Sequence, residues 1–240
     1  MNHLNTDPEA IPLDKRIIFA LDFDTPKEAQ DWVKELEDQI TFFKVGLQLF
    51  LAGGFDIVDW IINRDLDVML DLKLYDVPRT VYSAIRQIER HSPTFVTVHG
   101  DKAIMQAAAQ AAETTQILAV TLLTSLDQND INDLGTNFDP NSLVLKKTEQ
   151  SIQAGLSGVV CSGLEVKDLR NKLGKNFYSV VPGIRSKQEK NGDDQKRTVT
   201  AAEAFRAGAD HIVAGSLIKD SNNPVKQTEV LLQDIEDIFH

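Results

Sequence analysis

Short apolar runs alternate with amphipathic stretches along most of the chain. The apolar runs are rich in β-branched residues, which is typical of strands, whereas the stretches between them repeat apolar residues at helical spacing. The first helical stretch opens with Thr25 and Pro26, a good N-cap followed by proline at the first helical position. The predicted strands are RIIFALDF, TFFKVGL, a third from about Asp67 to Tyr75, FVTVHG, ILAVTLLTS, GVVCSG, YSVVPGI and HIVAGSL.

The third predicted strand alternates with a period of two, which gives it two different faces. One face is apolar and the other carries an acid beside a base: Val68, Leu70, Leu72 and Leu74 alternate with Met69, Asp71, Lys73 and Tyr75. In a half-exposed strand these charges would simply face water, so this pattern alone leaves their role open.

Eight strand–helix units follow one another with no change in composition that would mark a linker. Such alternation predicts parallel strands joined by right-handed crossovers, and 240 residues is the size of one (β/α)₈ TIM barrel. An open doubly wound sheet would be expected to have a glycine-rich turn after the first strand, and FALDFDTP has none. We therefore predict an α/β protein with a single barrel domain over residues 1–240, preceded by a short polar tail (about 1–14).

Composition narrows the classes of function. A formal net charge of −11 argues against a general nucleic-acid binder, which needs a basic face. No apolar run reaches the roughly 18 residues of a membrane span, and the N-terminus lacks the layout of a signal peptide. The single cysteine, Cys161 in GVVCSG, predicts a small buried core residue and a cytoplasmic protein. The five histidines show no metal-ligand spacing, so no zinc site is predicted.

In a barrel, the carboxyl ends of the strands form the floor of the active site. Several polar or ionisable residues fall at these ends and should converge on one mouth: Asp22, Lys44, Asp71, Lys73, His99 and Thr124. Burying one unpaired charge there would cost several kcal/mol. The signs of Lys44, Asp71, Lys73 and Asp76 alternate and sum to zero, so these residues can neutralise one another. A purely structural ion network is the alternative, but its predicted position at the mouth favours a functional role.

The segment DLKLYDVPRT resembles the Asp-x-Lys-x-x-Asp signature of the orotidine 5′-monophosphate decarboxylase family. Five other segments are similar to that family's segments in order and approximate spacing, so the resemblance covers nearly the whole chain. They are ALDFDT, FFKVGLQLF, VTLLTSL, VVPGIRS and DDQKRTVTAAEAFRAGAD. Related sugar-phosphate barrels carry a similar Asp-x-Lys-x-x-Asp, but its combination with LLTS, PGIR and DQKR is specific.

The resemblance implies metal-independent decarboxylation of orotidine 5′-monophosphate to UMP and CO2, in pyrimidine synthesis, with no cofactor. It implies that Asp71 faces the substrate carboxylate and that Lys73 protonates C6 of the pyrimidine. Asp22 would hold a ribose hydroxyl, with Lys44 beside it in the charged array. The partner subunit of a homodimer would contribute two further residues to each site, Asp76 and Thr80.

For the rest of the substrate, the resemblance implies that Thr124 lies near the pyrimidine and that Arg185 and Gln195 hold the phosphate. The polar segment from Arg185 to Arg197 predicts a lid over the mouth, with a plain solvated loop as the alternative. The chain departs from the family's pattern at the eighth strand, where Ser216 follows Gly215 in place of the usual phosphate-binding arginine. The backbone N–H groups of Gly215 and Ser216 and the Ser216 hydroxyl are predicted to bind phosphate oxygens. We expect weaker phosphate affinity than in a family member with arginine, unless Lys219 or another cation replaces it.

Two other functions stay open at this point. One is a magnesium-dependent phosphosugar enzyme on a related barrel, such as a keto-gulonate-phosphate decarboxylase or a hexulose-phosphate synthase. The other is a non-catalytic nucleotide-binding protein, for which Ser216 is the only support.

Overall fold

The strands of this chain close into a barrel. The computed structural model describes residues 11–133, 138–185 and 197–239. Within them, each of eight strands pairs in parallel with the next along the chain, and the last pairs with the first. The predicted (β/α)₈ barrel is confirmed. The strands are β1 (Ile17–Ala20), β2 (Phe42–Gly46), β3 (Asp67–Leu74), β4 (Phe95–His99), β5 (Gln116–Val120), β6 (Gly158–Val160), β7 (Tyr178–Val181) and β8 (His211–Ala214).

Helices follow the strands and cover the outside of the barrel. The first begins as predicted, because the Thr25 hydroxyl accepts a hydrogen bond from the Glu28 N–H at 3.2 Å and Pro26 is the first helical residue. No helix in the described part of the chain is both long and apolar enough to cross a membrane. The helices are α1 (Pro26–Leu36), α2 (Leu47–Ile62), α3 (Pro78–Ile88), α4 (Lys102–Ala111), α5 (Gln128–Asp133), α6 (Pro140–Ala154), α7 (Gly163–Leu173), α8 (Ala201–Ala207), α9 (Ser216–Lys219) and α10 (Pro224–Phe239).

The apolar core has two parts, which correspond to the two faces of the strands. The larger part lies between the barrel and its helices, and the smaller part fills the inside of the barrel. On β3, Val68 and Leu70 belong to the outer part, while Met69 belongs to the inner part. Asp71 and Lys73 continue the inward series after Met69, which carries them to the carboxyl end of the barrel, as predicted.

The pairing of β3 with β4 is irregular just where these charged residues lie. Leu70 pairs with Val96 but Leu74 pairs with Val98, so β3 has two more residues than β4 between these pairs. Within this irregular stretch Lys73 has φ +48°, in the left-handed region that a residue with a Cβ seldom adopts. Such a conformation costs on the order of 1–3 kcal/mol and persists where the surrounding structure holds it in place.

Candidate active site

The carboxyl ends of the strands surround a cavity of about 460 Å³. Its lining combines apolar residues from inside the barrel with polar side chains from six of the strand ends. Eight residues predicted from the sequence line this cavity together: Asp22, Lys44, Asp71, Lys73, Thr124, Arg185, Gly215 and Ser216. Gln195 and residues 186–196 of the predicted lid lie outside the described residues.

A chain of three ion pairs crosses the floor of the cavity. The Lys73 ammonium Nζ lies 2.7 Å from Asp71 Oδ2, and Lys44 Nζ lies 4.0 Å from the same oxygen. Lys44 Nζ also donates to Asp22 Oδ1 at 3.0 Å. Lys44 and Asp71 are buried, whereas the Lys73 side chain is 35% exposed. The four charges therefore alternate in sign across three neighbouring strands, and the partly exposed ammonium group of Lys73 borders the cavity.

Asp71 is held as a carboxylate although it is buried. Burial by itself raises the pKa of Asp71, but the ammonium groups of Lys73 and Lys44 and hydrogen bonds from Lys73 and Thr97 outweigh it. The net effect lowers the pKa of Asp71 below its ordinary value. At neutral pH the cavity floor therefore presents a fixed negative charge beside the Lys73 ammonium group.

Thr97 on β4 completes this array, and the sequence-based reasoning did not select it. Its hydroxyl donates to Asp71 Oδ1 at 2.8 Å and accepts from the Lys73 backbone N–H at 2.9 Å. The hydroxyl thus replaces a strand–strand hydrogen bond where the pairing of β3 and β4 is irregular. The period of two in FVTVH was the available signal, because it assigns Thr97 to the same face as Phe95, inside the barrel.

Asp76 and Thr80 do not line the cavity of their own chain. Both are exposed, Asp76 just after β3 and Thr80 in the first turn of α3. Asp76 Oδ1 accepts the Val77 backbone N–H at 2.6 Å. Their position therefore leaves both side chains accessible to a second molecule.

Arg185, which follows β7, reaches across to the turn after β8. Its guanidinium group donates to Ser216 Oγ at 3.3 Å and to the Ile184 carbonyl oxygen at 3.1 Å. The Arg185 backbone N–H donates to the Val199 carbonyl at 3.0 Å, so the two ends of the segment between them are tied together. Lys219, on α9, also lines the cavity; from the sequence it was named only as a cation that could replace the missing arginine.

The loop that carries Thr124 is held by Arg197. The Arg197 N–H donates to the Thr124 carbonyl at 3.2 Å, and its guanidinium group donates to the carbonyls of Leu122 and Leu123 at 3.3 and 3.2 Å. The same guanidinium group forms a buried ion pair with Glu165. Burial raises the pKa of Glu165 from 4.5 to about 7, against the opposing effect of Arg197. This pair supports the cavity wall without lining it.

Two residues singled out from the sequence take no part in the charged array. His99 packs against Tyr75, with ring centroids 4.6 Å apart, and does not line the cavity. Cys161 is buried, as predicted. Burial raises the pKa of its thiol to about 12, which keeps the thiol protonated at neutral pH.

The comparisons with known proteins agree over nearly the whole chain. A family model described as "Orotidine 5'-phosphate decarboxylase / HUMPS family" matches residues 15–231. The orotidine 5′-phosphate decarboxylase of Methylococcus capsulatus is 45% identical over 239 residues, covering 99% of this chain and 98% of that protein. The enzyme of the same name from Xylella fastidiosa is 36% identical over 235 residues, covering 97% of this chain and 96% of that protein.

A comparison with solved structures agrees with the family match. The crystal structure of orotidine 5′-phosphate decarboxylase from Lactobacillus acidophilus superposes with a TM-score of 0.81 at 28% identity, covering 92% of this chain and 99% of that one. The model match, the full-length relatives and the shared barrel together establish that this chain belongs to the orotidine 5′-phosphate decarboxylase / HUMPS family.

Proposed function

We propose that this protein decarboxylates orotidine 5′-monophosphate to UMP and CO2 without a metal ion or an organic cofactor, in cytoplasmic pyrimidine synthesis. The observation that carries the proposal is the Lys44–Asp71–Lys73 array, in which a buried carboxylate and a partly exposed ammonium group, 2.7 Å apart, face the cavity. The names of the full-length relatives agree with this activity.

Asp71 would raise the energy of the bound substrate. A substrate carboxylate about 4 Å from Asp71 would be repelled by about 4 kcal/mol at an effective dielectric constant near 20. The repulsion ends when CO2 leaves, so it lowers the barrier to the departure of CO2. Because enzymes commonly lower barriers by ~8–23 kcal/mol, this effect is only a part of catalysis.

Lys73 would supply the proton. As the bond between C6 and the carboxylate carbon breaks, its electron pair stays on C6, and the ammonium group of Lys73 stabilises that charge. The proton then passes from Lys73 Nζ to C6, giving UMP and a neutral amine that regains a proton from water. Lys44 supports this arrangement, because its ammonium group helps to keep Asp71 ionised.

The remaining residues would hold the two ends of the nucleotide. Asp22 would bind a ribose hydroxyl and Thr124 would lie beside the pyrimidine. For the phosphate we assign Arg185, Gln195 and the turn at Gly215 and Ser216. Binding energy from a phosphate far from C6 can then be used at the reacting carbon.

We further propose a homodimer in which Asp76 and Thr80 complete the partner's site. Both side chains are exposed and lie outside their own cavity. The large apolar side chains on either side of Asp76 in the chain are also exposed, Tyr75 by 67% and Val77 by 63%. A second copy packed on this surface would remove them from water.

Loss of orotidylate absorbance on incubation with the purified protein in EDTA tests the activity. Wild type should convert the nucleotide in EDTA, and Lys73→Ala should not, whereas Lys102→Ala on the exposed start of α4 should match wild type. An inactive wild type would refute the proposal. Activity that disappears in EDTA and returns with magnesium would instead indicate a metal-dependent family member.

Mixing two inactive variants tests the shared site. In a dimer formed from Lys73→Ala and Asp76→Asn subunits, one of the two sites contains no substitution. The mixture should therefore regain activity that neither variant has alone. No recovery, in a mixture shown to contain hybrid dimers, would contradict a site built from two subunits.

A further inference from the structure

Two cationic side chains border the cavity on the side of β7 and β8. Among the residues that the structure describes, four cationic side chains and two carboxylates line the cavity. Lys44 and Lys73 contact those two carboxylates on the side of β1 to β3. The other two cationic side chains are those of Arg185 and Lys219, in a chain whose formal net charge is −11.

Lys219 has an ammonium group with no assigned function. Within residues 11–133, 138–185 and 197–239, its Nζ makes no ion pair with a carboxylate, and it lies 5.5 Å from the centre of the Phe23 ring. The side chain is half-buried, on the last residue of α9, and it borders the cavity. A half-buried ammonium group beside a cavity is available to an anionic ligand at little cost in existing contacts.

Lys219 and Arg185 border the same end of the cavity. The Arg185 guanidinium group is directed to this end by its hydrogen bond to Ser216 Oγ. Ser216 and Lys219 are three residues apart on α9, which sets them on the same side of the helix. Arg185, Ser216 and Lys219 all line the cavity, and the side chain of Ser216 is short.

We propose that Lys219 is a second cationic ligand of the substrate phosphate, acting with Arg185. This inference rests on the proposed function, because it needs a nucleotide monophosphate in the cavity. The phosphate of such a nucleotide carries a charge of about −1.5 to −2 at pH 7, which Arg185 and Lys219 together balance. Lysine contributes a compact charge on a flexible stem, while arginine contributes directed paired donors.

The same lysine also borders a second, smaller cavity, which suggests a purely structural alternative. That cavity is lined by Asp22, Asp24 and Glu28 among others, so Lys219 would serve there as a counter-charge. The alternative predicts a loss of stability without any effect that depends on the phosphate. A test must therefore separate the phosphate from the rest of the nucleotide.

Steady-state kinetics of Lys219→Gln provides that test. We expect KM for orotidine 5′-monophosphate, and the inhibition constant of the product UMP, to rise about 10- to 100-fold, as for the loss of one charge-assisted hydrogen bond. Inhibition by uridine, which has no phosphate, should stay within about 2-fold of wild type. Lys219→Arg keeps the charge and should stay near wild type, and Lys226→Gln on α10 is the matched control.

Three results would overturn the inference. The first is a Lys219→Gln variant whose KM and UMP inhibition equal those of wild type, and the second is an equal loss of affinity for UMP and uridine. Lys219→Met, which keeps an unbranched side chain of similar length, repeats both measurements if Lys219→Gln folds poorly. The third is a wild type that does not convert the nucleotide, which also refutes the proposed function, whereas the first two leave that function intact.

Discussion

Two clusters of buried charge lie at opposite ends of the barrel, and they differ in where their hydrogen bonds go. At the amino ends of the strands, Arg170 donates to Asp210 at 2.5 Å and to the carbonyls of Gly208 and Phe177 at 2.9 Å each. Asp210 also accepts the Ser179 N–H at 2.6 Å. In these hydrogen bonds, both Arg170 and Asp210 are bound to other groups of the protein and not to a cavity.

At the carboxyl ends, the array of Lys44, Asp71 and Lys73 is equally well paired but opens onto a cavity. Lys73 is 35% exposed, against 9% for the Arg170 side chain, so its ammonium group can meet a ligand. Buried charge is therefore a poor indicator of function by itself. The useful distinction is whether the donors of a cluster are all used within the fold or directed partly into a cavity.

Of the proposed substitutions, the removal of Arg170 should cause the largest loss of stability, because it breaks the cluster at the amino ends of the strands. Arg170→Ala leaves Asp210 buried without its partner and leaves carbonyl oxygens without donors, so the free energy of unfolding should fall by about 3–5 kcal/mol. Urea unfolding measures this, with the exposed Arg206→Ala as control. Activity per folded molecule should equal that of wild type, and a loss of kcat in fully folded protein would contradict the distinction between the clusters.

Replacing Asp71 should lower activity strongly and stability only slightly, the reverse of what is expected for Arg170→Ala. Asp71→Asn removes the repulsion of the substrate carboxylate, worth about 4 kcal/mol, so kcat should fall by about 10²- to 10³-fold. The amide can still accept the Thr97 hydroxyl, and Lys73 can be hydrated, so the free energy of unfolding should fall by only about 1 kcal/mol. If the variant were strongly destabilised but kept wild-type kcat, Asp71 would serve the stability of the fold, as Arg170 does.

Glu165 and Arg197 form an intermediate case, buried like the first cluster but beside the cavity. Because burial raises the pKa of Glu165 from 4.5 to about 7, the folded state favours the protonated acid. Its contribution to stability is therefore complete below pH 4.5 and is lost as the pH rises towards 7. Glutamine does not ionise, so the stability of Glu165→Gln should not fall in this way as the pH rises.

The prediction is that the unfolding free energy of Glu165→Gln, relative to wild type, rises by about 2 kcal/mol between about pH 5.5 and about pH 8. Urea unfolding of both proteins at the two pH values gives this difference directly, and any constant effect of the substitution cancels. Glu149→Gln, at an exposed position of α6, should show no such change. A difference that is the same at both pH values would mean that Glu165 is ionised throughout.

The sequence predicted those parts of the site that follow from strand periodicity. Asp71 and Lys73 face inwards because β3 alternates regularly up to Leu70, and Lys44 follows the same rule on β2. The irregular pairing after Leu70 and the φ of +48° at Lys73 depend on contacts with β4, which no local pattern encodes.

Contacts between distant segments could not be predicted from the sequence, even where the residues that make them were selected. Arg185 and Ser216 are 31 residues apart, and only closure of the barrel brings β7 beside β8. Lys219 was named from the sequence only as one cation that could replace the missing arginine. It lies on a helix of four residues, too short to show a periodic pattern, so its position at the cavity was known only from the structure.

A substitution of Thr97 should have the smallest effect on activity. It tests directly whether the irregular pairing of β3 with β4 supports the array of Lys44, Asp71 and Lys73. Thr97→Val keeps the shape of the side chain but leaves the Lys73 N–H without an acceptor and Asp71 Oδ1 without a donor. We expect a loss of about 1–2 kcal/mol in unfolding free energy and about a 10-fold lower kcat. The hydroxyl helps to lower the pKa of Asp71, so the acidic limb of the kcat–pH profile should move to higher pH.

Thr148→Val is the matched control for Thr97→Val, because Thr148 is equally buried but donates only within α6, to the Val144 carbonyl. It should lose comparable stability and keep both wild-type kcat and the wild-type pH profile. Thr97→Ser retains the hydroxyl and should recover most of the activity. If Thr97→Val changed stability alone, with kcat and its acidic limb unmoved, Thr97 would belong with Arg170 as a residue of the fold, and the array at the mouth would not depend on the irregular pairing.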